Sequence, residues 1–258
     1  SRISNSLGYA SFNAYSENGI KTNFSAQVKN INAMSDNSVK YKNTPQSELM
    51  TAYYYNVSLP LQKITESTSN TLIPKLSFRL SPHDMRYHNN TSRRVDINNV
   101  FLNNRLSLGD SFETGESVTL GLDFIKKKVN QVFEFTQIEG TPILMKEKVS
   151  KIEDYIDFRL ATVFRFNKED DMPVVSTINE KTSNVFGFVG FKPNKNVTLN
   201  YNFSLTNDFD TIEYNALNAN FIYENFSTKF SFVEEAGILG DANVVGNTTK
   251  FNFNDYNT

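Results

Sequence analysis

The sequence predicts an all-β chain forming an antiparallel transmembrane β-barrel wall, about eleven strands of a larger barrel. Three observations predict it. Apolar residues recur with period two over runs of about five to eleven residues. The apolar faces so defined carry no Asp, Glu, Lys or Arg. Tight and long connections nearly alternate along the chain, as they do when the two ends of a sheet are built differently. The composition agrees: 22 Phe and 12 Tyr stand in a chain of mean hydropathy −0.43, because the aromatics are interleaved with Asn, Ser and Thr.

Side chains alternate across a strand, so each run has one apolar and one wet face. Ile20, Thr22, Phe24, Ala26 and Val28 oppose Lys21, Asn23, Ser25, Gln27 and Lys29. Tyr53, Tyr55, Val57, Leu59 and Leu61 repeat the pattern, and Leu72, Pro74, Leu76, Phe78 and Leu80 oppose Lys75, Ser77 and Arg79. Pro74 lacks a backbone donor and is expected at a strand start. Tyr53, Tyr54 and Tyr55 are expected at a membrane interface, where an apolar ring with a polar tip is favoured. Next come Val118, Leu120, Leu122 and Phe124, then Ile156, Phe158, Leu160, Thr162, Phe164 and Phe166, then Val197 to Leu205, then Phe226 to Phe232. Tight connections are Ser-Glu-Asn-Gly at 16–19, Pro-Asn-Lys-Asn at 193–196 and Glu-Asn at 224–225, all rich in residues that tolerate positive φ. Long polar ones run at about 30–51, 81–116, 167–183 and 234–248. The stretch 126–155 keeps the alternation if it is one extended connection on the tight-turn side; two additional strands are the alternative.

One domain is expected over residues 1–258, a length that can bury a sizeable core. A formal charge of −2 with scattered basic residues gives no reason to expect a nucleic-acid partner. The absence of cysteine excludes a disulfide, a thiolate nucleophile and a Cys-based metal site. No run approaches the eighteen or so apolar residues of a membrane helix. The start at Ser1 without a signal segment, and the odd strand number, read as a fragment whose targeting signal lies upstream. Such a piece leaves unpaired edges in lipid and is not expected to fold alone.

Candidate chemistry is sparse. His83 and His88, with Asp84 between them, are the only histidines. With no third ligand in sight they read as a solvated loop rather than a metal or general-base site. Arg93 and Arg94 read as a solvated pair rather than a phosphate contact. No catalytic, cofactor-binding or metal site is nominated, no cofactor is implied, and the chain is not read as an enzyme.

One segment is more specific. Residues 98–124, NNVFLNNRLSLGDSFETGESVTLGLDF, resemble the NLF…NRFSGYDRIEGG segment and following strand of the lipopolysaccharide-assembly outer-membrane protein family, the LptD or organic solvent tolerance family. Asn99, Phe101, Asn104, Arg105, Ser107, Asp110, Glu113 and Gly115 stand at the matching positions. LIPKLSF upstream and the run from Ser183 to Leu217 downstream are similar to the family's flanking strands, so the likeness covers roughly 70–225. The family's glycine after Ser is Leu108, its Tyr is Gly109, its second Arg is Ser111 and the first of its paired glycines is Thr114. The resemblance implies non-catalytic lipid transport in the outer membrane of a Gram-negative bacterium: lipopolysaccharide is inserted into the outer leaflet. It also implies an LptE-like lipoprotein plug, a periplasmic Lpt bridge reached through an N-terminal domain outside this chain, and outer-membrane lipid around the wall. Within the motif loop, Arg105, Asp110 and Glu113 are candidates for ion pairs that hold the loop over the barrel mouth; whether Arg105 takes Asp110 or Glu113 stays open. Two rivals stand beside this reading: a porin or TonB-dependent receptor wall, and a soluble β-sandwich binding module, which also alternates.

Overall fold

The computed structural model describes residues 2–36, 43–137, 144–236 and 241–252. The strands are β1 (Arg2–Ala10), β2 (Ala14–Tyr15), β3 (Lys21–Ala33), β4 (Gln46–Ser58), β5 (Leu61–Ile64), β6 (Thr68–Ser81) and β7 (Gly115–Gln137). They continue with β8 (Leu144–Arg165), β9 (Val185–Asn194), β10 (Val197–Leu205), β11 (Ile212–Tyr223), β12 (Phe226–Glu235) and β13 (Ala242–Phe251). All are antiparallel in one sheet, in the order β1-β3-β4-β6-β7-β8-β9-β10-β11-β12-β13, with β2 on β3 and β5 on β6 off that path. The sheet is open: β1 and β13 are its two edges. Apart from the short β2 and β5, each strand on that path pairs with the one that follows it in the chain, as alternation joined by turns at both ends requires.

Pairing register carries the two-faced pattern across the sheet. One rung joins Phe24, Tyr55, Phe78, Val118 and Phe164. The next residues along, Ser25, Tyr54, Arg79, Ser117 and Arg165, form the adjacent rung on the opposite face. The apolar rung is the bare one. Phe24 is 39%, Tyr55 42%, Phe78 45% and Phe164 40% exposed, whereas Ser25, Tyr54, Arg79, Ser117 and Arg165 are all buried. Leu72, Leu80, Leu120 and Leu122 are likewise exposed. This inverts the polarity of a soluble sheet. Tyr54 accordingly does not join Tyr53 and Tyr55 at an outer surface; alternation turns it inward, beneath the guanidinium of Arg79.

The inner face is covered by the chain itself. The connections 82–114 and 166–184, expected as solvated polar loops, fold back onto it. Met85, Val95, Ile97, Val100, Leu106 and Leu108 from the first, and Met172 and Ile178 from the second, pack on Ala161, Val163 and Phe186 of β8 and β9. A smaller cluster joins Phe112 to Ile31, Met50, Ala52 and Tyr54. The two loops are sewn together by His88 N–H to Asp171 O (2.7 Å) and Val174 N–H to Asn89 O (3.1 Å). A hydrated inner face is therefore not what the loop end presents: apolar loop residues spaced irregularly in sequence, invisible to a search for periodicity, make a dry core there.

Two further expectations change. Among the described residues 126–155 add no further strands, so the alternation of connections is kept, but they are not a connection outside the sheet: β7 and β8 themselves continue to 23 and 22 residues. Residues 138–143 at the tip lie outside the described residues, as do the side chains of 132–148. Pro74 is in mid-strand, not at a start. Its carbonyl accepts from Leu59 N–H, and it falls where β6 stops pairing with β4 (Ser58 opposite Lys75) and begins pairing with β5 (Leu61 opposite Leu72). Its ring nitrogen lies on the side of that break in the pairing, where a strand tolerates a missing donor.

Candidate functional site

The motif loop meets the sheet around one carboxylate. Gly115 begins β7 with φ of +77°, a left-handed conformation that turns the chain from the loop into the strand. A Cβ on it would lie 2.9 Å from Arg165 Nη2. The turn delivers Glu113 to the inner face above the Tyr54, Arg79, Ser117, Arg165 rung. Arg105 Nε donates to Glu113 Oε2 (2.8 Å) and Arg105 Nη2 to Oε1 (2.5 Å), a two-pronged pair. Arg165 Nη1 donates to Oε1 at 3.0 Å, and Arg79 Nη1 stands 3.6 Å from Oε2.

The guanidiniums also bind the loop and the strands around them. Arg105, 2% exposed, also donates to Thr119 Oγ1 (3.1 Å), Ser117 Oγ (3.2 Å) and Val100 O (3.4 Å). Arg79 donates to Leu102 O (2.7 Å) and Asn103 O (2.6 Å), and Arg165 to Thr114 O (2.6 Å). Burial alone would raise the pKa of Glu113, but Arg105 first, then Arg79 and Arg165, hold it down from an ordinary 4.5 to about 2.

Asp110 goes elsewhere. Its Oδ1 is 2.9 Å from Nε2 of His88, both buried. The structure thus brings Arg105 and Glu113 together and gives Asp110 to His88, which is not the solvated histidine its loop position suggested. Nor are Arg93 and Arg94 a solvated pair. Arg93 Nη1 donates to Leu106 O (2.9 Å) and Ser107 O (2.5 Å), and Arg94 pairs with Glu235 of β12 and lies over the Tyr214 ring. Among the described residues no three His, Asp or Glu groups are placed to hold a metal ion.

The remaining motif residues shape the loop. Asn99 closes a turn with Asp96: Asp96 N–H donates to Asn99 Oδ1 (2.9 Å) and Asn99 N–H to Asp96 Oδ1 (3.1 Å). Asn104 Oδ1 accepts from Leu108 N–H (2.8 Å). The tip of the Phe101 ring rests against Gly121 of β7, where a Cβ would sit 2.5 Å from its Cζ. Leu108, 2% exposed, enters the loop-end core, and the hydroxyl of Ser111, fully buried, has no hydrogen-bond partner among the described residues. Lys29 of β3 donates to Ser111 O (2.8 Å), and Asn103 donates to Ser25 Oγ (2.9 Å).

Sequence reasoning missed Arg79, Arg165 and Lys29 as members of the site and misplaced His88 in solvent. The first two are alternating-strand residues whose register alone makes them converge; their charge on the polar face of β6 and β8 was the available signal. What the arrangement does is bind a loop to a wall: one segment is tied to β3, β6, β7, β8 and β12 at once. No family model matches the chain, and no curated protein matches it.

Proposed function

We propose that the chain is part of the wall of an outer-membrane barrel that assembles lipopolysaccharide into the outer leaflet, a transport role without catalysis. The observation that supports a membrane wall is the inverted polarity. Phe24, Tyr55, Phe78, Leu120, Leu122 and Phe164 face outward uncovered, while Arg79, Arg105, Glu113 and Arg165 are buried on the inner side. In water such a bare apolar face is a large unfavourable surface; in lipid it is the favoured one. The resemblance of residues 98–124 supports the choice of lipopolysaccharide, with an LptE-like lipoprotein and the periplasmic bridge as partners.

Depleting the full-length protein in its native cell and following newly made lipopolysaccharide tests this reading. It should accumulate inside the outer membrane and stop reaching the surface; unchanged surface lipopolysaccharide overturns the proposal. A diffusion porin is disfavoured by the two loops packed on the inner face, and single-channel recording separates the two. A steady open conductance of the full-length protein in planar bilayers would favour the porin.

A further inference from the structure

We propose that Lys126, Lys128 and Tyr155 form a site for the phosphate of an anionic glycerophospholipid, in the leaflet on the tight-turn side. The inference rests on the membrane reading above and adds a ligand and its residues. The outward positions of β7 run Val118, Leu120, Leu122 and Phe124, and the next two are Lys126 and Lys128. A strand crosses a bilayer in about ten residues, so these lysines stand where the apolar band gives way to headgroups.

The neighbouring strand fixes them. The β7–β8 register shifts between Lys126 (opposite Ile156) and Lys127 (opposite Asp154), which leaves Tyr155 as an extra residue outside the ladder. The freed Tyr155 ring packs on Phe191 of β9, centroids 5.5 Å apart. Both ammoniums lie over that one ring, Lys126 Nζ 5.9 Å and Lys128 Nζ 4.1 Å from its centroid, and Lys128 Nζ also donates to Pro193 O at 2.9 Å.

The charge here is unbalanced. Lys127 points to the other face and pairs with Asp154 (3.3 Å); Glu153 takes Lys151 and Asn130; Asp157 takes Arg159. The nearby carboxylates are thus engaged, while Lys126 and Lys128 have no ion pair among the described residues. Two like charges held at one phenol ring repel, and an anion that meets both lowers that cost. A phosphodiester with acyl chains fits because its charge would meet the lysines while its tails lie along Phe124, Phe158 and Ile156 of the same face.

The test uses the full-length protein in non-ionic detergent, titrated with dihexanoyl phosphatidylglycerol, dihexanoyl phosphatidylcholine or inorganic phosphate, with bound molecules counted by native mass spectrometry. One saturable phosphatidylglycerol adduct is expected. It should weaken about thirtyfold in Lys126→Gln/Lys128→Gln, the combined effect of two near-surface lysines on an anion, and persist in Lys126→Arg/Lys128→Arg. Equal binding of phosphatidylcholine, or no effect of the glutamine pair, overturns the site. Inorganic phosphate binding as tightly as the lipid overturns the lipid assignment. A protein that does not enter bilayers at all removes the membrane reading instead, a separate measurement with a separate meaning.

Discussion

Removing the carboxylate of Glu113 would leave the guanidiniums of Arg79, Arg105 and Arg165 facing one another where water barely reaches. Breaking a buried pair in this way costs about 3–5 kcal/mol. Glu113→Gln and Arg105→Ala should therefore each lower the temperature at which the folded band converts to the unfolded one on heat-modifiability gels; an unchanged transition would show that the loop is held by its apolar contacts alone. The same group sets a pH dependence. Because its folded pKa of about 2 lies below the ordinary 4.5, its contribution is full above the ordinary value and disappears as pH falls towards the folded one. Protease access to the loop should rise between those limits in the native protein and be insensitive to that window in Glu113→Gln. Gly121 offers a steric counterpart. Gly121→Ala drives a methyl into the Phe101 ring and should loosen the loop, whereas Phe101→Ala in the same background should absorb the added methyl, so the two changes will be non-additive.

Among the elements, the β7–β8 hairpin stands apart. β6 leaves β7 at Lys128, and β9 leaves β8 at Ile156. Val129 N–H still donates to Ser67 O (2.9 Å), but beyond it residues 130–137 and 144–151 pair only with each other among the described residues, projecting about 25 Å past the sheet. A two-stranded ribbon contributes little stability to the sheet it leaves. Replacing 130–151 by a two-residue turn should leave the heat-modifiability transition of the full-length protein unchanged; a fall of more than a few degrees would mean that the ribbon is braced by something else. This element also shows where sequence reading stops. Alternation in Val118–Phe124 and Ile156–Phe166 was legible because each residue reports its own face. The continuation through 126–155 was not, since Lys126, Lys127 and Lys128 interrupt the alternation and the bulge at Tyr155 shifts it. Pro74 misled for a related reason: whether a strand tolerates proline depends on the neighbour's ladder, which no single strand encodes. In the loop, Arg105, Asp110 and Glu113 were recognisable as pairing groups, but the choice between the two carboxylates depended on where His88, Arg79 and Arg165 lie, and those distances are set by register and by the path of 82–114.

At the scale of the molecule, the outer face makes the sharpest demand. Leu120→Arg or Leu122→Arg places a cation in the middle of the exposed apolar band and should cost about 2–4 kcal/mol of folded stability in a bilayer, measured by urea titration in liposomes. In a water-exposed sheet the same change would be nearly neutral, so the sign and size of the effect distinguish the two surroundings. The inner face reverses the preference: Ser117→Leu or Thr119→Leu removes hydroxyls that accept from Arg105, so there the apolar residue is the damaging one.

The order of strands carries one more consequence, a matter of parity. Every neighbour on the path from β1 to β13 is antiparallel, and the path holds eleven strands. With an odd number, the first and last run in the same direction, like the two rails of one track. Bringing β13 against β1 would create a parallel seam in an otherwise antiparallel cylinder, and rotating a second copy about the cylinder axis would create two. A closed wall that keeps every seam antiparallel must place an odd number of further strands between them.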